Sequence, residues 1–292
     1  MVDRLVECGW DVGVFDLRER RYGPMPEQVH FIRADLGHEF LVREALIGVD
    51  VVFHLAWTTI HETSNQNPVL DVRANLISSI QLIEASRQAD VGRFVFISSG
   101  GTVYGPGQTF PISESHGQDP ISSYGITKLA VEKYLHMFHH LHNLDYVILR
   151  PSVPYGPRQN PLGKQGVVTV FLHRVGNGLP ITIWGDGSTT RDFFYISDLV
   201  EAIMAGAEQE LHQNRVFNIG GGKEISLMRL LGLIEETVGR KAIVEHRVSR
   251  KFDAQRIVLD ISLARRNLDW QPKVSLAQGL DRTWSWISSS VK

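Results

Sequence analysis

Over its first 150 residues the chain alternates short apolar runs with longer segments of helical periodicity. The runs are 11–16 (DVGVFD), 29–34 (VHFIRA), 49–56 (VDVVFHLA), 93–99 (RFVFISS) and 146–150 (YVILR); the helical segments span 39–46, 69–88 and 124–140. Strands separated by helices need crossover connections, which implies a parallel sheet with helices on its faces. Runs 49–56 and 93–99 are almost continuously apolar, as strands buried on both faces should be. The expected fold class is α/β, a Rossmann-type doubly wound parallel sheet.

Beyond residue 151 the texture changes. Loops rich in Pro, Gly and Asn at 155–166, 176–180 and 185–188 separate shorter elements, and such loops generally carry binding surface. The expected division is a doubly wound domain over 1–156 and a smaller α+β, substrate-facing lobe over 157–292. Within 191–222, residues 191–196 and 216–219 are expected to return to the main sheet.

Composition removes several classes of function. Thirty basic residues against 32 acidic ones leave a net charge of −2, so nothing favours a nucleic-acid partner or a charged membrane surface. No apolar run approaches the length of a membrane span. Asp3, Arg4 and Glu7 interrupt the apolar positions of the first ten residues, so these are not expected to be a secretory leader. A single cysteine, Cys8, cannot form an internal disulfide and suits a reducing compartment, so the expected location is cytoplasmic.

The chemistry concentrates around Tyr124 and Lys128, four residues apart at a helix start and therefore on one helical face. An ammonium beside a phenol favours the phenolate. Such a tyrosine can remove a proton from a carbinol hydroxyl while hydride leaves the same carbon. Alone the spacing is a weak signal, common on helical surfaces. Here the fourth strand ends in Ile97-Ser98-Ser99-Gly100-Gly101-Thr102-Val103-Tyr104-Gly105, about one βα unit earlier, and ligands of parallel α/β sheets sit beyond the carboxyl ends of strands.

With these residues the chain resembles the extended short-chain dehydrogenase/reductase family, in particular its nucleotide-sugar epimerases of the UDP-glucose 4-epimerase type. The landmarks occur in family order: Val52-Phe53-His54-Leu55-Ala56, the Ser98 to Gly105 strand end, Tyr124 with Lys128, Leu149-Arg150-Pro151, Tyr155-Gly156-Pro157, Thr190-Arg191-Asp192-Phe193 and Phe217-Asn218-Ile219-Gly220. The resemblance implies NAD as cofactor. It implies that Asp16 binds the adenosine ribose hydroxyls, that Asp35 and Leu36 flank adenine, and that Leu55, Ala56 and Trp57 line the cofactor groove with Asn75 nearby and Pro151 beside it. Lys128 would also hold the nicotinamide ribose. For the nucleotide-sugar, expected to be a UDP-sugar, it implies Arg191 on the diphosphate, Arg250 and Asp253 as a second phosphate and ribose contact, and Thr182 and Trp184 near the base. Family members commonly pair through the helices at 69–88 and 124–140, so a homodimer is expected.

Three departures from the pattern stand out. The acidic ribose ligand normally follows the glycine-rich turn by about 20 residues, which counts back from Asp16 to before Met1; the chain is expected to open inside the first crossover helix, at 2–8, without the first strand and phosphate loop. A misassigned or cut start is the favoured explanation. Secondly, the family's catalytic hydroxyl falls on Gly100, leaving Ser99, or alternatively Thr102, to steady the substrate oxygen. Thirdly, Val153 stands where epimerases usually carry an asparagine on the diphosphate. Neither Gly101 nor Thr102 is acidic, so elimination chemistry lacks its acid/base and simple oxidation and reduction at a carbinol remains.

His136, His139, His140 and His142 read as a solvated helix end, not a metal site. Glu114, Ser115 and His116 are neighbours in sequence and form no triad by adjacency. The Gly220-Gly221-Gly222 run reads as a turn. The sequence thus favours an NAD-dependent nucleotide-sugar 4-epimerase. The alternatives are a ketoreductase of the same family and a non-catalytic binding protein that keeps the fold.

Overall fold

The computed structural model describes residues 1–19, 22–163, 165–211, 213–248 and 254–290. The chain divides into two compact units, Met1–Ser98 with Ser122–Leu149 and Gly206–Glu208, and Ser99–Ile121 with Arg150–Ala205 and Gln209–Lys292. Where the sequence suggests one boundary near 156, the units interleave. The chain leaves the first unit after Ser98, after Leu149 and after Glu208. With the 99–121 stretch included, the second unit is the larger.

The first unit follows the expected alternation. Helix α1 (Val2–Glu7) leads into β1 (Gly13–Asp16), which pairs in parallel with β2 (His30–Arg33). After α2 (Glu39–Ala45) come β3 (Val51–His54), α3 (His61–Gln66), α4 (Pro68–Asp71), a π-helical turn (Val72–Ile77) and α5 (Ser78–Gln88). Strand β4 (Arg93–Ile97), helix α6 (Ser123–His142) and strand β5 (Tyr146–Pro151) follow. Strands β3, β4 and β5 lie side by side and parallel, with His54 opposite Phe96 and Phe96 opposite Ile148. The helix expected at 69–88 is therefore three pieces, because the π-turn inserts a residue into its hydrogen-bond ladder.

Burial follows strand position. The inner residues of β4, Phe94, Val95 and Phe96, are fully buried, and every residue of β5 is buried. Strand β3 is only half-buried over Val51, Val52 and Phe53, so its apolar run does not mark burial on both faces as the sequence suggests. Among the described residues β3 is hydrogen-bonded on one edge only, to β4, and β1 only to β2. Trp10 partly covers this region, packing edge-on to Phe53 at 6.0 Å. At the other end of the layer Arg93 pairs with Asp145 at 2.7 Å and donates to the carbonyls of Gly206 and Ala207.

The second unit contains β6 (Val153–Tyr155), α7 (Val167–Gly176), β7 (Ile181–Trp184), β8 (Thr190–Tyr195), α8 (Ile196–Glu208, whose end belongs to the first unit), β9 (Val216–Ile219), β10 (Glu224–Ser226), α9 (Leu227–Val238), β11 (Val244–Arg247), α10 (Ser262–Asn267) and α11 (Leu276–Ser290). Strand β8 lies between β6, parallel, and β10, antiparallel. Residues 191–196 thus build a small mixed sheet of their own instead of returning to the main one. Strand β7 pairs in parallel with β11. Phe171, Leu172, Ile181, Ile183, Phe193, Leu230, Ile234 and Leu280 form the core of this unit. Among the described residues no helix is long and apolar enough to cross a membrane.

Candidate active site

Helix α6 starts on side chains. The first amides of a helix lack intrahelical partners, and three of them here are satisfied from outside the helix ladder: Ser122 Oγ accepts from Gly125 N–H at 3.2 Å, Asn65 Oδ1 from Ser123 N–H at 2.9 Å, and Ser64 Oγ from Tyr124 N–H at 3.1 Å. Ser122 is the N-cap and α3 supplies the other two. The backbone of Tyr124 is therefore held at the point where its phenol leaves the helix.

One turn on, Lys128 is 2% exposed. Its Nζ donates to the Ile97 carbonyl, the last of β4, at 2.6 Å, and lies 3.7 Å from the centre of the Trp57 ring, 4.8 Å from that of Phe96 and 5.9 Å from that of Tyr124. Burial lowers its pKa to about 7, against the opposing charges of Glu132 and Asp71. Cation–π contact with three rings offsets part of the lost hydration. Glu132, a further turn along α6 and 3% exposed, accepts a short hydrogen bond from Ser98 Oγ at the end of β4.

Around this pair lies a web of buried polar groups that sequence reading passed over. Asn75, in the π-turn, accepts from Thr58 N–H at 2.9 Å and donates to Thr59 Oγ1 and Asp71 Oδ1. Asp71 also accepts from Thr59, Ser123 and Thr127 hydroxyls. His54 shares a 2.8 Å hydrogen bond with Ser79 Oγ, which donates to the Asn75 carbonyl. The signal for this web was present as two polar pairs at i, i+4 in helical segments, Asp71 with Asn75 and Lys128 with Glu132.

The residues expected to meet a cofactor lie near the carboxyl ends of these strands. Asp16 closes β1, exposed, with its carboxylate accepting from the nearby Arg18 N–H at 3.0 Å. Asp35 is exposed and caps Gly37 N–H at 2.7 Å, and Leu36 is half-buried. Leu55 and Ala56 are exposed just past β3. Trp57 is half-buried, and its indole N–H is buried without a hydrogen-bond partner. Asn75 is 3% exposed with both amide atoms engaged in the web, so its part is to hold Thr58 beside Trp57.

In the second unit the strand end turns tightly. The Ser99 carbonyl accepts from Thr102 and Val103 N–H groups, and Gly100 N–H donates to the Pro151 carbonyl at 2.9 Å. A Cβ at Gly100 would lie 2.5 Å from Leu259 Cδ1 and 2.8 Å from the Arg150 carbonyl, so this chain has no room for a hydroxyl-bearing side chain there. Ser99 is half-buried; Thr102 is 6% exposed and turns back on the Ser99 carbonyl. Behind the turn, buried Arg150 donates to Tyr104 Oη at 2.8 Å, and Tyr104 donates to Asn218 Oδ1 at 2.6 Å. Val153 packs against the apolar core, which accounts for its being valine.

Thr182 and Trp184 are half-buried in β7, with the Arg247 guanidinium 5.9 Å from the Trp184 ring centre. Arg191 is half-buried in β8 and donates to the Thr190 carbonyl at 2.8 Å. Arg250 and Asp253 lie outside the described residues. The glycines at 220–222 do form a turn, shaped by Asp192, whose carboxylate accepts from Gly221 and Leu259 N–H groups. Burial raises Asp192 to about 6 against those bonds. Among the described residues no cluster of His, Cys, Asp and Glu could hold a metal ion.

Known proteins share much of this sequence and fold. Residues 1–220 match the model of the NAD dependent epimerase/dehydratase family. The UDP-glucose 4-epimerase of Mycolicibacterium smegmatis is 36% identical over 296 aligned positions, covering 97% of this chain and 92% of that protein. The crystal structure of the Thermotoga maritima UDP-glucose 4-epimerase with UDP-glucose superposes with a TM-score of 0.94 at 35% identity, covering 100% of this chain and 95% of that one. That of the Thermus thermophilus UDP-glucose 4-epimerase in complex with NAD gives 0.91 at 32% identity, over 99% and 95%. The fold is thus the Rossmann-type α/β fold of those enzymes, and the chain belongs to the NAD dependent epimerase/dehydratase family.

Proposed function

We propose that the protein is an NAD-dependent nucleotide-sugar 4-epimerase, acting on a UDP-sugar through transient oxidation to a 4-keto sugar. The observation that carries this reading is Lys128, a buried cation 5.9 Å from the centre of the Tyr124 ring. A positive charge there favours the phenolate. Tyr124 Oη takes the proton of the sugar 4-hydroxyl and gives it back after the keto sugar has turned over.

The residues of the first unit fit the cofactor. Asp16 offers its exposed carboxylate to the adenosine ribose, and its charge disfavours a 2′-phosphate. Leu55 and Ala56 offer exposed apolar surface, Trp57 an unpaired indole N–H, and the Lys128 ammonium has three donors of which the Ile97 carbonyl takes one. When bound, NAD supplies the acceptor and donor of hydride. Asp35, Leu36 and Pro151 complete its surroundings. On the sugar-nucleotide side Ser99, which is more open than Thr102, steadies the reacting oxygen; Arg191 takes the diphosphate, and Thr182 and Trp184 flank the base. Gly101 and Thr102 supply no acid for elimination.

The protein acts as a homodimer, a reading supported by the apolar surface of the first unit: Val69, Leu70, Val72 and Ile77 on α4 and the π-turn, and Ile126, Met137 and Leu141 on α6, are exposed. Exposed, free Cys8 suits the cytoplasm. The test is exchange of C4 epimers of UDP-sugars by purified protein supplied with NAD. Epimer formation without net change in reduced cofactor is expected. Net consumption of reduced cofactor would identify a ketoreductase instead, and absence of exchange with every UDP-sugar would overturn the proposal.

A further inference from the structure

Asp71, the last residue of α4, is fully buried. Its Oδ1 accepts from Thr59 Oγ1 at 2.5 Å and Asn75 Nδ2 at 2.8 Å, and its Oδ2 from Ser123 Oγ at 2.7 Å and Thr127 Oγ1 at 3.1 Å. A buried carboxylate is costly unless its oxygens are hydrogen-bonded; here each takes two donors. The two sets lead to different places. Ser123 and Thr127 lie on either side of Tyr124, at the first residue of α6 and one turn on, and the Thr127 hydroxyl is also 3.0 Å from the Ser123 and Tyr124 carbonyls. Thr59 and Asn75 fix the loop that carries Trp57, through the Asn75 bond to Thr58 N–H, and the Trp57 ring lies over Lys128.

We propose that Asp71 is the positioning residue of the Tyr124–Lys128 pair, its carboxylate clamping the first turn of α6 to the 58–59 loop. This role deepens the epimerase reading and rests on it for its catalytic consequence. The same charge helps keep Lys128 protonated, as Glu132 on α6 does; Tyr124 on α6 and neutral His54 on β3 are the other titratable groups around it.

Asp71→Asn keeps the shape but replaces one acceptor oxygen by a donor and removes the charge. Two readouts need no activity: hydrogen exchange at the Tyr124 and Gly125 amides, and the titration of Lys128 followed by NMR in 13C-lysine-labelled protein, assigned with Lys128→Met. In Asp71→Asn exchange is expected to be about tenfold faster, and Lys128 to titrate lower by about half a unit or more. Thr127→Val removes one donor and leaves the charge; it should speed exchange about threefold and leave the titration in place. In the epimerase assay Asp71→Asn should lower kcat about a hundredfold with KM within about twofold. Exchange unchanged in Thr127→Val, or exchange and titration both unchanged in Asp71→Asn, overturns the proposal. If Asp71→Asn does not fold, Thr127→Val decides it. A wild-type protein that exchanges no epimer refutes the epimerase reading alone and leaves the exchange and titration results to judge the clamp.

Discussion

His54 shows what burial does to a single group in this fold. It is 4% exposed at the end of β3, bonded to Ser79 and stacked on Phe96 with ring centres 5.5 Å apart. Burial first, and then the charge of Lys128, hold its pKa down to about 3 against an ordinary 6.5. Between those values the unfolded chain binds a proton that the folded one refuses, so this contribution to stability falls as pH falls through that window. Each unit is worth about 1.4 kcal/mol. In urea unfolding, the loss of stability from pH about 7 to about 4.5 should be smaller by about 2–3 kcal/mol in His54→Gln than in the wild type. Parallel losses would contradict this assignment. Tyr124 and Lys128 were legible because an i, i+4 spacing puts two side chains on one helical face whatever the rest of the fold does. Asp71 and Glu132 were not, since an acid in a helical segment reads as surface until a second element closes over it.

The turn after β4 is the element that most limits the chemistry. Sequence alignment by motif leaves Gly100 without the family's hydroxyl; the structure adds the reason, a close approach of Leu259 and the Arg150 carbonyl. Gly100→Ser is therefore expected to destabilise by about 1–3 kcal/mol through overpacking. Gly101→Ala, whose added Cβ would meet Ile257 Cδ1 at an ordinary 3.8 Å, should cost less than about 1 kcal/mol. Urea midpoints compare the two, and equal costs would show that the close approach does not govern the turn. Elements with a clear period, such as β4, β5 and α6, could be read from the chain almost to their ends. The π-turn could not, because one extra residue per turn leaves the apolar pattern nearly intact. Nor could the place of β8, since partner strands are chosen by packing that a single strand's residues do not encode.

At the scale of the molecule the chain forms two units, and it passes from the first to the second after Ser98, Leu149 and Glu208. The first unit holds the tyrosine, the lysine and their buried web, and its outer helices leave Ile126, Met137, Leu141 and Val69 in solvent. Exposed apolar side chains gathered on the helices of one unit favour association. Sedimentation should report a dimer, and Ile126→Glu combined with Leu141→Glu a folded monomer; a monomeric wild type would refute the dimer. Most central is the proposed role of Tyr124: held by its helix start beside Lys128, it would take the proton of the sugar 4-hydroxyl. That role is tested most directly by epimer exchange on a UDP-sugar with NAD, wild type against Tyr124→Phe. Exchange by the wild type is expected, with a loss of about a hundredfold or more in kcat for the variant and the fold intact. Undiminished exchange by Tyr124→Phe would contradict it.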